Sequence, residues 1–345
     1  MWRVLGCLVA VGCGATASDA RLCAPRPAPP ASRRAPAIVL VTIDGARAAD
    51  VFDASLMPTL ARLADAGVAL GGAGAPMVAS GPRFVSLPGY REILTGRRGD
   101  RCVDNDCPLI DEPTLLDELR AGDAPDAGDI AVIASWEVIA RAASPAPSSI
   151  ALSAGRHGGP ARAALAVDAA TRAALAAGTH ASAWPGHGDY RPDAFTAALA
   201  LDLVAAAHPH ALWLALGDAD EYAHRDDRAG YRRALAAADA TLGRLVERVG
   251  LDDAMVFVTA DHGRAANFRD HGDAPESSAV WLVAAGAHIP RLGFLRTHAP
   301  HRLADIAPTL RALLHLRADD SARAGHAIGE LVAGGDTLAS ADRAR

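Results

Sequence analysis

Unbroken apolar runs, not alternating ones, mark the strands of this chain. Ile38-Val39-Leu40-Val41-Thr42-Ile43 ends at Asp44-Gly45, and Ile130 to Ile133, Ala211 to Leu216 and Met255 to Val258 are runs of the same kind. A short apolar run with no polar alternate suits a strand covered on both faces. Helical spacing lies between these runs. Leu235, Leu242, Leu245, Val246 and Val249 recur at spacings of three, four and seven and predict one buried helix face. Met57-Pro58-Thr59-Leu60 predicts a helix that begins on Pro58 and stops at Gly67, and Pro113 to Gly122 repeats that pattern. Ser86 precedes Pro88-Gly89, which predicts a sharp turn before a helix resumes at Glu92 to Thr95; Gly89 also suggests room for a sizeable substrate. Asp305, Pro308 and Leu310 to Leu314 predict a capped C-terminal helix. Strands alternating with helices predict an α/β fold, a three-layer αβα sandwich with a mostly parallel central sheet. Residues 140 to 183, rich in Ala, Gly, Ser and Pro, yield no clear element.

Composition narrows the chemistry. The 345 residues carry a net charge of -6, and 50% are hydrophobic, enough for a large core. There is no Lys, which excludes a P-loop lysine and Schiff-base catalysis. The mild acidity gives no reason to expect a nucleic-acid partner. Residues 1 to 17 read as a signal peptide, with Arg3, an apolar stretch from Leu5 to Val11 and small residues Ala15-Thr16-Ala17. Gly12-Cys13 offers the alternative of a lipoprotein signal, which would anchor the chain to a membrane at Cys13. Either way the expectation is export, to the periplasm, the medium or a lipid anchor. Residues 18 to 36, with five Pro and four Arg, read as a linker; 37 to 335 read as the catalytic domain and 336 to 345 as a tail. In an exported chain, Cys102 and Cys107 are expected to form a short disulfide. Cys23 has no assigned partner.

In open α/β sheets, ligands bind beyond the carboxyl ends of the strands. Asp44 follows the first run. Asp218, Asp220, Glu221 and His224 follow Ala211 to Leu216, in Gly217-Asp-Ala-Asp-Glu-Tyr-Ala-His224. Asp261 and His262 follow Met255 to Val258, and His271 lies nine residues further on. Singly, each is as ordinary as a helix cap or a surface histidine. Together they are Asp and His ligands of the kind hydrolytic metal sites use, in more than the number one ion needs. Asp220 and His224, four apart, share one side of a helical turn. Ser86, at a turn entering a helix, is the candidate nucleophile, with a plain helix cap as the alternative. His208 and His210 precede a strand and read as a connecting loop; His180 and His187 read as surface residues.

Taken in order, Ile43-Asp44-Gly45, Ser86-Leu-Pro-Gly-Tyr90, Gly217 to His224, Thr259-Ala-Asp261-His262-Gly-Arg264 and His271-Gly272 resemble the alkaline phosphatase superfamily. Its phosphodiesterase (nucleotide pyrophosphatase-like) and phosphoglycerate-mutase-like branches are the nearest. The resemblance runs from about residue 37 to 315 and implies an alkaline-phosphatase-like fold. It implies one metal held by Asp44, Ser86, Asp261 and His262, and a second held by Asp220, His224 and His271. The ions would be two divalent metals, zinc or, as in the mutases, manganese. Asn105, 19 residues after Ser86, matches an Asn that binds a phosphoryl oxygen in related diesterases; a turn former beside Cys107 is its other reading. The implied activity is hydrolysis of small phosphate esters, mono- or diester, through a covalent phosphoserine. A phosphotransferase or mutase, or a degenerate exported metal-binding protein, are the alternatives. The chain departs from the family in several ways, among them the absence of the Asp-Ser-Ala nucleophile segment of the bacterial alkaline phosphatases and of room for the inserted cap domains of the mutases. Many relatives place the His271 ligand much farther on, which leaves His298 and His301 in reserve. Sulfatases need an Arg four residues after the nucleophile, where this chain has Tyr90.

Overall fold

The computed structural model describes residues 37–99, 101–122, 127–157, 169–297 and 300–333. The expected signal, linker and tail, and Cys7, Cys13, Cys23 and His298, lie outside the described residues. In chain order the first elements are β1 (Ala37–Ile43), α1 (Ala48–Val51), α2 (Pro58–Ala66), β2 (Val68–Leu70), β3 (Met77–Val78) and α3 (Ser86–Thr95). There follow α4 (Leu115–Ala121), β4 (Ile130–Ala134), α5 (Ala140–Ala143), β5 (Ala151–Ala154), α6 (Ala169–His180), α7 (Asp193–Ala207) and β6 (Ala211–Leu216). The last are α8 (Asp218–His224), α9 (Arg228–Val249), β7 (Ala254–Thr259), β8 (Ala279–Val280), β9 (Leu282–Gly286), β10 (Gly293–Phe294), β11 (His301–Arg302) and α10 (Ile306–Leu313).

The main sheet runs β10-β2-β9-β7-β1-β6-β4-β5, and β11-β3-β8 form a small second sheet. From β7 to β5 every pairing is parallel; β9 pairs antiparallel with both β7 and β2. The fold is therefore α/β and mostly parallel, as the apolar runs predict. β9 was not legible because three of the five residues of Leu-Val-Ala-Ala-Gly are Ala or Gly, which carry little strand propensity.

Alternation in each run divides the core. Ile38, Leu40, Trp213, Met255 and Phe257 face one side, with Tyr90 and Ile93 of α3, Leu116 of α4 and Leu310 of α10. Val39, Val41, Leu212, Leu214, Val256 and Val258 face the other, with Leu60 of α2, Leu203 of α7 and Leu242 of α9. Both faces are dry, which is why no polar alternate interrupts the runs.

One predicted detail differs. Ser86 to Thr95 is a single helix with no break at Pro88-Gly89. Proline is tolerated in a first turn, where its missing N–H has no intrahelical partner. Gly89 is not an opening for substrate. A methyl there would lie 2.3 Å from the Asp261 carbonyl oxygen, so Gly89 lets the helix start press onto the Asp261 backbone.

Candidate metal centre

Parallel register decides what meets at the sheet edge. Ile43 pairs with Leu216 and Thr42 with Thr259, so β1, β6 and β7 end side by side. Strands about 4.8 Å apart then deliver Asp44, the start of α8, and Asp261-His262 to one place. Two clusters form there among the described residues, Asp44-Asp261-His262 and Asp220-His224-His271. These are the two sets that the resemblance implied.

Ser86 joins the first cluster. Its Oγ lies 3.5 Å from Asp44 Oδ1 and 3.4 Å from His262 Nε2. It is the first residue of α3, whose positive dipole end favours an anion. The Tyr90 hydroxyl, one turn on, donates to Asp44 Oδ2 at 2.8 Å and fixes that carboxylate. Burial, with Asp261 and Asp44 nearby, pushes the Tyr90 hydroxyl well above its ordinary pKa, so it stays a donor.

Three observations test whether these residues fit metal ions. First, both key imidazoles spend Nδ1 on a carbonyl: His262 on Gly263 O and His271 on Phe84 O, each at 2.8 Å. That leaves Nε2 pointing into the cluster, as second contacts do for metal-bound histidines. Second, His271 Nε2 and His224 Nε2 face each other at 3.1 Å, with Asp220 Oδ2 3.0 Å from His224 Nε2. Two ring nitrogens and a carboxylate oxygen that converge on one point, once His224 gives up its proton, make a set that an ion can occupy. Third, Asp261 is fully buried and its Oδ2 has no hydrogen-bond partner among the described residues, a cost that a cation would remove. The residues fit two divalent cations.

The electrostatics agree. Burial, and Asp44 beside it, push the Asp261 carboxyl well above the carboxylate range. Burial alone would lower the His262 pKa, but Asp261 and Asp44 push it up to about 10, so the pocket draws positive charge. Burial and the charge of His262 push His271 down to about 4, leaving it neutral and able to ligate. The hydrogen bond that His224 donates to Asp220 raises its pKa more than burial lowers it. An ion at Asp220-His224-His271 must therefore displace a proton from His224 but none from His271 near neutrality. Affinity at this site is expected to fall as pH drops through the raised His224 pKa, by about tenfold per pH unit. Zinc titrations from about pH 5 to pH 8 check this; an affinity flat across that range contradicts it.

The start of α8 is held by a carboxylate pair that sequence reasoning missed. Asp193 accepts from the N–H of Gly217 at 2.8 Å and of Asp218 at 3.0 Å, while Asp218 accepts from the Asp193 N–H at 3.1 Å. Tyr190 donates to Asp218 at 2.8 Å. Asp218 thus serves the turn and leaves ligation to Asp220. The signal available was Asp193 after Pro192, a helix-start pattern with nothing local to name its partner.

Gly45 is confined on both sides. It has φ +59, and a methyl there would lie 2.4 Å from Asp220 Oδ1 and 2.4 Å from Arg264 Nη1. Gly45→Ala is expected to cost about 2 to 4 kcal/mol of stability and to weaken ion binding at the Asp220 cluster. Thermal melts with and without zinc check it; a melting temperature within about a degree of the parent contradicts it.

A cleft of about 570 Å³ opens over both clusters, lined by Asp44, Ser86, Asn105, Asp220, His224 and His271. Its far wall holds Trp136, Tyr190 and Arg225. His187, expected at the surface, is indeed 81% exposed but also borders this cleft. Asn105 accepts from the Leu87 N–H at 2.9 Å through Oδ1. Its loop is closed by the Cys102–Cys107 disulfide, with Cα atoms 5.6 Å apart, and Arg141 reaches the Cys107 carbonyl at 3.3 Å. His301 lies in β11, its Nδ1 3.9 Å from Asp305 Oδ2, and belongs to neither cluster.

The sequence model of the Metalloenzyme superfamily matches residues 194–318, which contain Asp220, His224, Asp261, His262 and His271. No curated protein sequence matches the chain. Among solved structures, the phosphonate monoester hydrolase of Agrobacterium radiobacter is similar with TM-score 0.57 and 17% identity, covering 87% of this chain and 77% of that one. The Silicibacter pomeroyi phosphonate monoester hydrolase gives TM-score 0.54 and 17% identity over the same shares, 87% and 77%. A 2-O GAG sulfatase gives TM-score 0.56 and 12% identity, covering 87% and 74%. At these identities the likeness is one of fold. With the superfamily match it bears out the resemblance to the alkaline phosphatase superfamily.

Proposed function

We propose that this alkaline-phosphatase-like metalloenzyme chain is an exported two-metal hydrolase of small phosphate esters, with Ser86 as nucleophile. One observation carries the reading. Ser86 Oγ stands 3.5 Å from Asp44 Oδ1 and 3.4 Å from His262 Nε2, at a helix start, in the same cleft as the second cluster. Asp44, Ser86, Asp261 and His262 would hold one ion, and Asp220, His224 and His271 the other, zinc or manganese. Bound there, the ions would supply positive charge that eases ionisation of the serine hydroxyl and stabilises the departing oxygen.

The chain's own residues do the rest. Ser86 Oγ forms a bond to phosphorus as the ester oxygen leaves opposite with its electron pair. The start of α3 faces the charge that develops. Asn105, its Oδ1 occupied by Leu87, presents Nδ2 to a phosphoryl oxygen. Hydrolysis of the phosphoserine then restores Ser86. Tyr90 supports a phosphate over a sulfate substrate: the position where sulfatases of this superfamily carry Arg here steadies Asp44. Export rests on the signal-like N-terminus and the Cys102–Cys107 disulfide, which suits an oxidising compartment.

The test is hydrolysis of p-nitrophenyl phosphate, bis-p-nitrophenyl phosphate and p-nitrophenyl sulfate with added zinc or manganese. Turnover of a phosphate ester, with phosphate trapped on Ser86 after acid quench, supports the reading, and the faster ester selects mono- or diesterase. Sulfate hydrolysed faster than either phosphate would overturn it. N-terminal sequencing of chain recovered from cell fractions tests export.

A further inference from the structure

The Asp220-His224-His271 cluster is built from two segments that share no strand pairing. Asp220 and His224 come from α8, and His271 from the loop that follows β7. That loop is mostly exposed at Ala266, Asn267, Arg269 and Asp270. One buried side chain spans the two segments. Arg264 is 4% exposed, and Nη1 binds Asp220 Oδ1. Its Nε donates to the Phe268 carbonyl, and Nη2 donates to the Arg269 carbonyl at 2.7 Å. The Phe268 ring lies 5.9 Å from the guanidinium, and the turn is closed by Ala265 N–H to Asp270 O at 2.8 Å. So one planar fork grips a ligand of the second cluster on one side and, on the other, the backbone that delivers His271.

Two effects of Arg264 oppose each other. Its charge offsets that of Asp220, which by itself disfavours a cation beside it. Both Asp220 oxygens already have partners, Oδ1 in Arg264 Nη1 and Oδ2 in His224 Nε2 at 3.0 Å. Against this, the fork takes Oδ1, leaves Oδ2 to His224, and ties Asp220 to the Phe268–Arg269 backbone, a tie that the loop's other anchors, at Phe84 and Tyr231, do not make. Without it, the Phe268 and Arg269 carbonyls lose donors, and Asp220 and His271 must be brought into register at the moment an ion binds, which costs conformational entropy. Gly45 lies beside both partners: a methyl there would run into Asp220 Oδ1 and Arg264 Nη1.

We propose that Arg264 is a positioning residue for the second ion: it presets the Asp220–His271 bite, and this outweighs the repulsion of its charge. The proposal rests on the two-ion reading above. It makes Asp44-Asp261-His262 the tighter site, with two carboxylates unopposed by a buried guanidinium, and Asp220-His224-His271 the site that Arg264 controls.

The experiment is calorimetric titration of the metal-stripped full chain with Zn²⁺ alone, comparing the parent with Arg264→Met and Arg264→Lys. Expected is a parent that binds two equivalents, and variants that keep the first unchanged and bind the second about 10- to 100-fold more weakly. Lys keeps the charge but cannot span three acceptors, so it does not rescue. A second equivalent as tight or tighter in Arg264→Met would show that charge dominates and overturn the proposal. Loss of both equivalents in both variants would also overturn it, because Arg264 would then be holding the fold and not one ion. A parent that binds two ions with both variants unchanged removes this role alone, whereas a parent that binds only one removes the two-ion reading as well.

Discussion

Ser86→Ala is expected to lower turnover of phosphate esters by at least about 10³-fold while two zinc equivalents still bind, the one at the Asp44 cluster more weakly for the loss of one ligand, and the melting temperature stays nearly unchanged. The side chain is 3% exposed, and its Oγ has only long contacts, 3.5 Å to Asp44 and 3.4 Å to His262. Removing it therefore breaks no strong hydrogen bond. Three ligands of its cluster remain, Asp44, Asp261 and His262. What disappears is the atom that bonds to phosphorus. The measurement pairs steady-state turnover with zinc stoichiometry. Turnover within tenfold of the parent would remove Ser86 as nucleophile, and loss of zinc would make it a ligand above all.

Asp261→Asn is expected to separate stability from ion binding. Asp261 is fully buried, and its pKa is raised well above the carboxylate range by burial and by Asp44. A carboxyl with a raised folded pKa costs stability at every pH above its unfolded value, and the cost eases as pH falls. Asn carries no such charge, and its Oδ1 can still accept the Gly45 N–H, now 3.1 Å away. The metal-stripped variant should therefore melt no lower than the parent at neutral pH. The ion response should go the other way. At zinc one hundred times its dissociation constant the parent gains about 2.7 kcal/mol; a variant binding about 100-fold more weakly gains only about 0.4 kcal/mol. Melts with and without zinc read both effects. A metal-stripped variant several degrees less stable, or an undiminished zinc shift, would contradict this account.

Much of the site was legible because the fold puts it at strand ends. Asp44, Asp220 and Asp261 each follow an apolar run, and a parallel sheet can only gather the ends of its strands on one edge. That logic, with the resemblance, reached Asp44, Ser86, Asp220, His224, Asp261, His262 and His271 without coordinates. It did not reach Arg264 or Asp193. A basic residue after Asp261-His262-Gly263 and an acid after Pro192 look local. Their partners, Asp220 and the Gly217–Asp218 backbone, are distant in sequence or in another element.

The sequence alone settled the strand and helix identities that rest on long apolar patterns, β1, β6, β7 and α9, and with them the α/β class. Those elements are decided by burial on both faces of the sheet or one face of a helix, which a chain writes into its own periodicity. Tertiary structure decided which ring nitrogen of His262 and His271 faces the cluster, that Asp261 Oδ2 is left without a hydrogen-bond partner among the described residues, and that Arg264 joins two ligand segments. It also decided that Gly89 presses on the Asp261 backbone and does not open the cleft. Each of these depends on a distance between segments far apart in the chain, and no local pattern encodes such a distance.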